Sequence, residues 1–367
     1  MQRIDVLHLI SSLGSGGAEG MLTRLAIQQQ RAGLNVAVIH FGENTTFNAK
    51  LLSNAGISVY TMQLTSKIHV LSILLRLCTT AYSLKPRVLQ SWMYHADCLT
   101  ILLRGVLGRR VKIFWNVRNT DIPQQGWSIT RLIIFINSFF SYLIPTKIIY
   151  CAERARFAHE KKSFNTKKSR VIPNGFFFAG KIKKRDFQLK GTVTIGMLAR
   201  YDYLKNQEAF IKLMDKLIIR GTKKYYGIIQ GNGVDVNENL INLLKTLKLT
   251  DHVQLLGHTN DIDRFFDAID MLVIPSRSEG FPNVAIEAIG RGCPVVGFDV
   301  GDLRMIVKNE ECVVKINDLD QLLHEIEKYF DLPKNERTRL SEENLSHVIS
   351  KFSIEKIEKE YRHAYQI

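Results

Sequence analysis

The chain reads Met271-Leu272-Val273-Ile274 and then Pro275-Ser276-Arg277-Ser278-Glu279-Gly280-Phe281-Pro282-Asn283-Val284-Ala285-Ile286-Glu287-Ala288. Four consecutive apolar residues predict a strand buried on both faces. Proline and a small polar run break it, and a helix restarts near Asn283. In open α/β sheets, ligands bind at the carboxyl ends of strands, which is where this break falls. Two carboxylates flank the break. On one continuous helix, positions eight apart would stand roughly 80° apart. With Glu279 in the loop and Glu287 on the helix, both can face one pocket. The helix amino end between them offers free N–H groups to an anion such as phosphate.

The alternation extends in both directions. Residues 192–198, 225–230, 252–256 and 294–298 predict further strands, with helices beginning near Asn206, Val236, Ile262 and Asn283. In the first half, residues 4–10 predict a strand, a glycine turn follows, and residues 18–32 predict a helix closed by Gly33 before a strand at 35–41. Strands at 57–62, 88–91, 112–116 and 147–151 alternate with helices at 68–82, 96–108 and 128–144. This predicts an α/β protein of two doubly wound, Rossmann-like parallel sheets. Pro173-Asn174-Gly175 punctuates the chain and the basic run 181–190 reads as a linker. The expected domains are residues 1–180 and 190–349, with residues 353–365 forming a polar amphipathic helix.

Composition narrows the class. A chain of 367 residues favours two domains. An apolar content of 46% is ample for two cores and too low for a polytopic membrane protein. Five cysteines without a Cys-x-x-Cys fit a reducing compartment rather than a disulfide scaffold or zinc site. Cys98 or Cys293 as a nucleophile competes with the simpler reading of a small buried residue. Residues 4–10, interrupted by Asp5 and His8, do not make a signal peptide. The most apolar stretch, Leu132 to Pro145, is shorter than the ~20 residues that span a bilayer. It reads either as a buried helix or as one that faces a membrane surface. The net charge of +15 is lopsided: residues 1–190 hold 27 Lys/Arg against 8 Asp/Glu, the remainder 23 against 27. A basic first half beside apolar helices suits an anionic membrane or a diphosphate-linked acceptor, against the plain alternative of a solvated basic surface. Nothing resembles a zinc finger, an RNP element or a helix-turn-helix, so nucleic acid is not the expected partner.

The motifs together resemble the retaining glycosyltransferases of the GT-B fold, family four (glycosyl transferases group 1), of the type that builds bacterial surface polysaccharides such as O-antigen and capsule. Glu279 and Glu287 match its Glu-x7-Glu. Gly14-Ser15-Gly16-Gly17-Ala18-Glu19 resembles its amino-terminal Gly-Gly turn and Val171-Ile172-Pro173-Asn174-Gly175 its interdomain segment. Arg200 and Lys205 match its basic pair, and Val253-Gln254-Leu255-Leu256-Gly257-His258 its strand beside the base. Gly292-Cys293-Pro294-Val295-Val296 and Asp299-Val300-Gly301-Asp302 resemble the segments that close the site. The resemblance implies two domains facing across a cleft, with the carboxy-terminal helix (350–367) crossing back onto the first. It implies that Arg200 and Lys205 clamp the donor diphosphate, with Gly16 and Gly17 approaching from the other domain. Glu287 would accept the ribose hydroxyls, Glu279 would bond the donor sugar, and Gly280, Phe281, Pro282, Asn283 and Val284 would offer backbone groups. Leu256, Gly257 and His258 would lie near the base.

The resemblance has one departure. The family's usual His after the strand at 112–116 is replaced here by Arg118, within Asn116-Val117-Arg118-Asn119-Thr120-Asp121. Arginine stays charged and cannot act as a general base, though it could stabilise the leaving phosphate or a sugar oxygen. His95 and Asp97 are the remaining candidates for the acceptor side, against the reading of His95 as a core residue. Asp261-Ile262-Asp263 is a formal Asp-x-Asp, read here as a helix cap rather than a metal site. The expectation is a metal-independent retaining enzyme without cofactors. It would move a sugar from a nucleotide diphosphate, UDP-linked, to a saccharide acceptor on a lipid diphosphate, in the cytoplasm or at the inner membrane face. Two rivals are a nucleotide-sugar epimerase or hydrolase on the same fold, and a non-enzymatic module binding anionic polymers.

Overall fold

Unbroken apolar runs build both sheets. The computed structural model describes residues 3–14, 16–43, 45–63, 70–120, 128–178, 191–259 and 261–367. The chain divides into two compact units, Met1–Phe177 with Phe352–Ile367, and Phe178–Lys351.

In unit 1 the strands are β1 (Val6–Ile10), β2 (Val36–His40), β3 (Ser58–Thr61), β4 (Val88–Trp92), β5 (Lys112–Val117), β6 (Lys147–Tyr150) and β7 (Ser169–Val171). They form one parallel sheet of order β3-β2-β1-β4-β5-β6-β7. The helices are α1 (Gly17–Arg31), α2 (Phe47–Asn54), α3 (Val70–Leu84), α4 (Met93–Leu107), α5 (Ile129–Phe140) and α6 (Glu153–Glu160). β1, β2 and β4 are buried at every position, as strands covered on both faces must be. The direction of strand addition reverses after β3. Right-handed crossovers then put α1 and α2 on one face and α3 to α6 on the other.

Unit 2 holds β8 (Thr192–Leu198), β9 (Lys224–Gln230), β10 (Val253–Leu256), β11 (Met271–Ile274), β12 (Val295–Phe298) and β13 (Val313–Val314), in the parallel order β10-β9-β8-β11-β12-β13. Its helices are α7 (Gln207–Arg220), α8 (Glu238–Thr246), α9 (Ile262–Ala268), α10 (Asn283–Ile289), α11 (Leu303–Ile306), α12 (Leu319–Asp331) and α13 (Lys334–Phe352). The strand order reverses beside β8, a topological switch point of the kind that opens a ligand crevice.

The last helix, α14 (Ile354–Tyr365), returns to unit 1. Its Ile354, Ile357, Tyr361 and Tyr365 are fully buried in one apolar cluster with Leu22, Leu25 and Ile149. Outgoing and returning chain are tied together: Phe176 N donates to Phe352 O at 2.8 Å and Ile354 N to Phe176 O at 2.9 Å. Sequence reading misses β7, β13, α2, α6, α11, α12 and α13, and it extends the helix at 128–144 beyond the observed end of α5. The expected linker at 181–190 lies outside the described residues.

Candidate active site

Parallel pairing places the loops after β8, β11 and β12 at one edge of the unit 2 sheet. The loop after β8 is stitched to the loop after β11. Arg277 N donates to Leu204 O at 2.8 Å and the Arg277 guanidinium to Tyr203 O at 2.6 Å, stacked on the Tyr203 ring at 4.2 Å. Asn206 takes a left-handed conformation and its amide donates to Pro275 O at 3.0 Å. Asparagine tolerates that region at low cost.

This stitching sets Lys205 against Glu279. Lys205 Nζ donates to both Glu279 carboxylate oxygens at 2.7 Å, and Ser276 Oγ donates to Glu279 Oε1 at 2.7 Å. Glu279 is 9% exposed. A carboxylate so placed needs its cation, so this pair couples more strongly than one on the open surface. A lysine ammonium has three N–H groups. Two are engaged here, and the third remains for another acceptor.

Glu287 lies on α10 with Asn283 and Val284. These three are partly exposed, whereas Ala285, Ile286, Ala288 and Ile289 are buried. Helical spacing therefore puts Glu287 on the outward stripe next to Asn283. α10 starts from Pro282, which supplies no side-chain cap. Phe281 is buried and Gly280 partly exposed. Gly301 (φ 52°) packs so closely on this loop that a Cβ would come within 2.7 Å of Gly280 O, which only glycine permits. Across the sheet, a Cβ on Gly231 would collide with Ala199 O, so the turn after β9 lies directly on the loop that carries Arg200. Leu256 and Gly257 end β10 partly exposed, and His258 is exposed.

Arg200 stands at the rim. Its side chain is 70% exposed and pairs with Asp202 at 2.8 Å. It flanks the Lys205–Glu279 pair rather than joining it. Of the Asp-x-Asp, Asp261 accepts from Arg264 N at 3.1 Å as the cap of α9, and Asp263 pairs with Arg291 at 2.6 Å.

In unit 1, Gly16 caps α1 and Gly17 opens it, both exposed. The carboxylate of Glu19 folds back over Gly16. His95 is exposed at the start of α4. Two candidates must be corrected. Arg118 is 8% exposed and committed internally: it donates to Ile172 O at 3.1 Å, to Asn174 Oδ1 at 2.9 Å and to Tyr361 Oη. It cross-links β5, the chain leaving unit 1, and α14, and so does not reach out to a phosphate. Asp97 has no exposed surface and cannot line an acceptor site. Ser91 Oγ donates to it at 2.6 Å, and burial drives its carboxyl well above the usual range despite that bond and one from the Asn116 backbone.

Sequence reasoning missed Ser276, Asn206 and Arg277, which hold the Lys205–Glu279 pair. Asn206 directly after Lys205, at the predicted helix start, was the available signal.

The architecture is that of the GT-B glycosyltransferases. Anabaena HepE in complex with UDP and glucose superposes with a TM-score of 0.83, covering 99% of this chain and 100% of that one at 18% identity. Residues 180–346 match the family described as glycosyl transferases group 1. An uncharacterized glycosyltransferase of Haemophilus influenzae is 25% identical over 371 residues, 96% of this chain and 97% of that one. The UDP-Gal:alpha-D-GlcNAc-diphosphoundecaprenol alpha-1,3-galactosyltransferase of Escherichia coli is 28% identical over 173 residues, 44% of this chain and 45% of that one.

Proposed function

We propose that the chain transfers a sugar from a UDP-linked donor, with retention at the anomeric carbon, to a saccharide on a lipid diphosphate during assembly of a bacterial surface polysaccharide. The carrying observation is Lys205 held against Glu279 at the carboxyl edge of the unit 2 sheet, beside the outward face of α10. A cation there neutralises a departing diphosphate, and stabilising developing charge is commonly the largest catalytic term. Lys205 holds Glu279 in place while its third N–H meets a phosphate oxygen. Glu279 then accepts from a hydroxyl of the donor sugar, and Glu287 accepts from the ribose. Arg200, exposed at the rim, swings from Asp202 to the outer phosphate. Gly16 and Gly17, with His95, belong to the acceptor-side unit. The leaving phosphate takes the acceptor proton, which a front-face displacement allows without a histidine at position 118. Support for UDP comes from the name of the Escherichia coli relative and from the molecule bound to HepE. The same relative's name supports the lipid diphosphate. With Asp261 and Asp263 both occupied as cap and ion pair, the reaction is proposed to need no metal.

A thermal-shift panel of nucleotide sugars tests the donor, since a ligand of the folded state alone raises Tm. UDP-sugars are expected to shift it and GDP-sugars are not. Lys205→Ala and Glu279→Gln are expected to cut transfer by about 10²–10³-fold, with the product anomer read by NMR. Wild-type rates in both variants, or an inverted product, would refute the reading. Release of an epimerised sugar without acceptor would favour the epimerase. Undiminished transfer in EDTA is the expected result for metal independence.

A further inference from the structure

α5 is apolar on both sides. Its buried positions are Ile134, Asn137 and Ser138, and Ser141 and Ile144 just beyond its end are buried too. Asn137 Nδ2 donates to Tyr94 O of α4 at 2.9 Å, and Ser141 Oγ accepts from Asn165 N at 3.0 Å. Its outward positions are apolar: Leu132 is 56% exposed, Phe135 72%, Phe139 66%, and Leu143 just beyond it 66%. Their spacing of three, four and four residues draws one stripe along the helix. α3, which flanks α4 on the same face of the sheet, adds Leu71 and Leu75, 70% and 59% exposed. Single exposed leucines are ordinary, but a contiguous apolar stripe left outward on a helix that already packs its own apolar residues inward is not.

The segment that carries the stripe is rich in cations. Between Val70 and Ala152 the only described carboxylate is Asp97, which is buried. Arg104 and Lys168 clamp the end of α5, donating to Ile144 O at 3.0 Å and Tyr142 O at 2.7 Å. Arg109 and Arg110 are exposed at the end of α4. Lys168 is shifted down from its ordinary value, first by burial and then by Arg104 and Lys147, so these cations are mutual neighbours. A second copy of this face would bring like charges together. An anionic surface with an apolar interior answers both features. Among the described residues no helix is long and apolar enough to cross a membrane.

We infer that α5 and α3 form an interfacial docking face that lays unit 1 on an anionic lipid bilayer, with Leu132, Phe135 and Phe139 entering the acyl boundary and the Arg104–Lys168 cluster meeting headgroup phosphates. The inference deepens the reading of a lipid-linked acceptor, but its test needs neither donor nor acceptor, so failure of one leaves the other standing. Co-sedimentation of the full chain with phosphatidylglycerol/phosphatidylcholine vesicles is compared with phosphatidylcholine alone. Binding is expected to anionic vesicles, weakened by raised salt. It should fall at least about tenfold in Phe135→Ser/Phe139→Ser, with Tm and circular dichroism unchanged because both rings are exposed. Arg109→Glu/Arg110→Glu should weaken it independently, and this pair decides the matter if the first does not fold. Equal binding to neutral vesicles, or unaltered binding in both pairs, overturns the proposal. So does a dimer in light scattering that Phe135→Ser/Phe139→Ser dissociates, because the face would then be covered by a second copy.

Discussion

Asp97 has no exposed surface, and burial holds its carboxyl well above the ordinary range. A group whose value rises on folding contributes stability at low pH and loses that contribution as pH climbs through the folded value. Asp97→Asn removes this titration while keeping the acceptor for Ser91. The variant is expected to match the wild type near pH 4 and to exceed it at pH 8 by about 1–3 kcal/mol. Urea unfolding at the two pH values checks this, and parallel stability curves would sink it. Asp97 and Arg118 show where a sequence stops being legible at this scale. Glu279 was found from local spacing and Lys205 from the family resemblance, and both lie in loops that directly follow strands. Whether Arg118 faces a ligand or the interior depends on Ile172, Asn174 and Tyr361, which are remote in sequence and leave no local trace.

α14 is the element on which unit 1 most depends. Tyr361 is fully buried and receives hydrogen bonds from Asn116 at 3.0 Å and from Arg118, while Tyr365 donates to Gln90. Tyr361→Ala is expected to cost about 3–5 kcal/mol through the cavity. Tyr361→Phe should cost about 1–3 kcal/mol, since it strands the Arg118 and Asn116 donors. Chemical denaturation of the full chain measures both, and a Phe variant as stable as wild type would show that the polar network is idle. Long buried strands and the helices between them were readable from periodicity. β13 has two residues and β7 three, too short for any period to appear. α13 is mostly polar, and its apolar stripe of Leu345, Val348, Ile349 and Phe352 is confined to its second half. α5 left two readings open because its apolar residues are as numerous as a core helix requires, and only the structure shows which way they point.

Over the whole molecule, unit 1 carries a pH dependence of mixed sign. Burial lowers His8 and His159 to about 4 from 6.5. Their neutral forms stabilise the fold fully above pH 6.5, and that contribution is lost as pH falls towards 4. Asp97 acts oppositely and offsets part of that acid loss. Asp97→Asn is therefore expected to steepen the acid side of the stability curve of unit 1 and to flatten its alkaline side. Tm followed from about pH 4 to 8 tests it, and a variant curve parallel to the wild type would contradict it. The tie between Phe176 and the Phe352–Ile354 segment has another consequence. Unit 2 is spliced into unit 1 rather than appended to it, so a ribosome delivers all of unit 2 before the helix that completes the first core. The nascent amino-terminal half must wait, its hydrophobic seam open, while the inserted half can already mature. Protease resistance of stalled chains should therefore appear in the order opposite to synthesis.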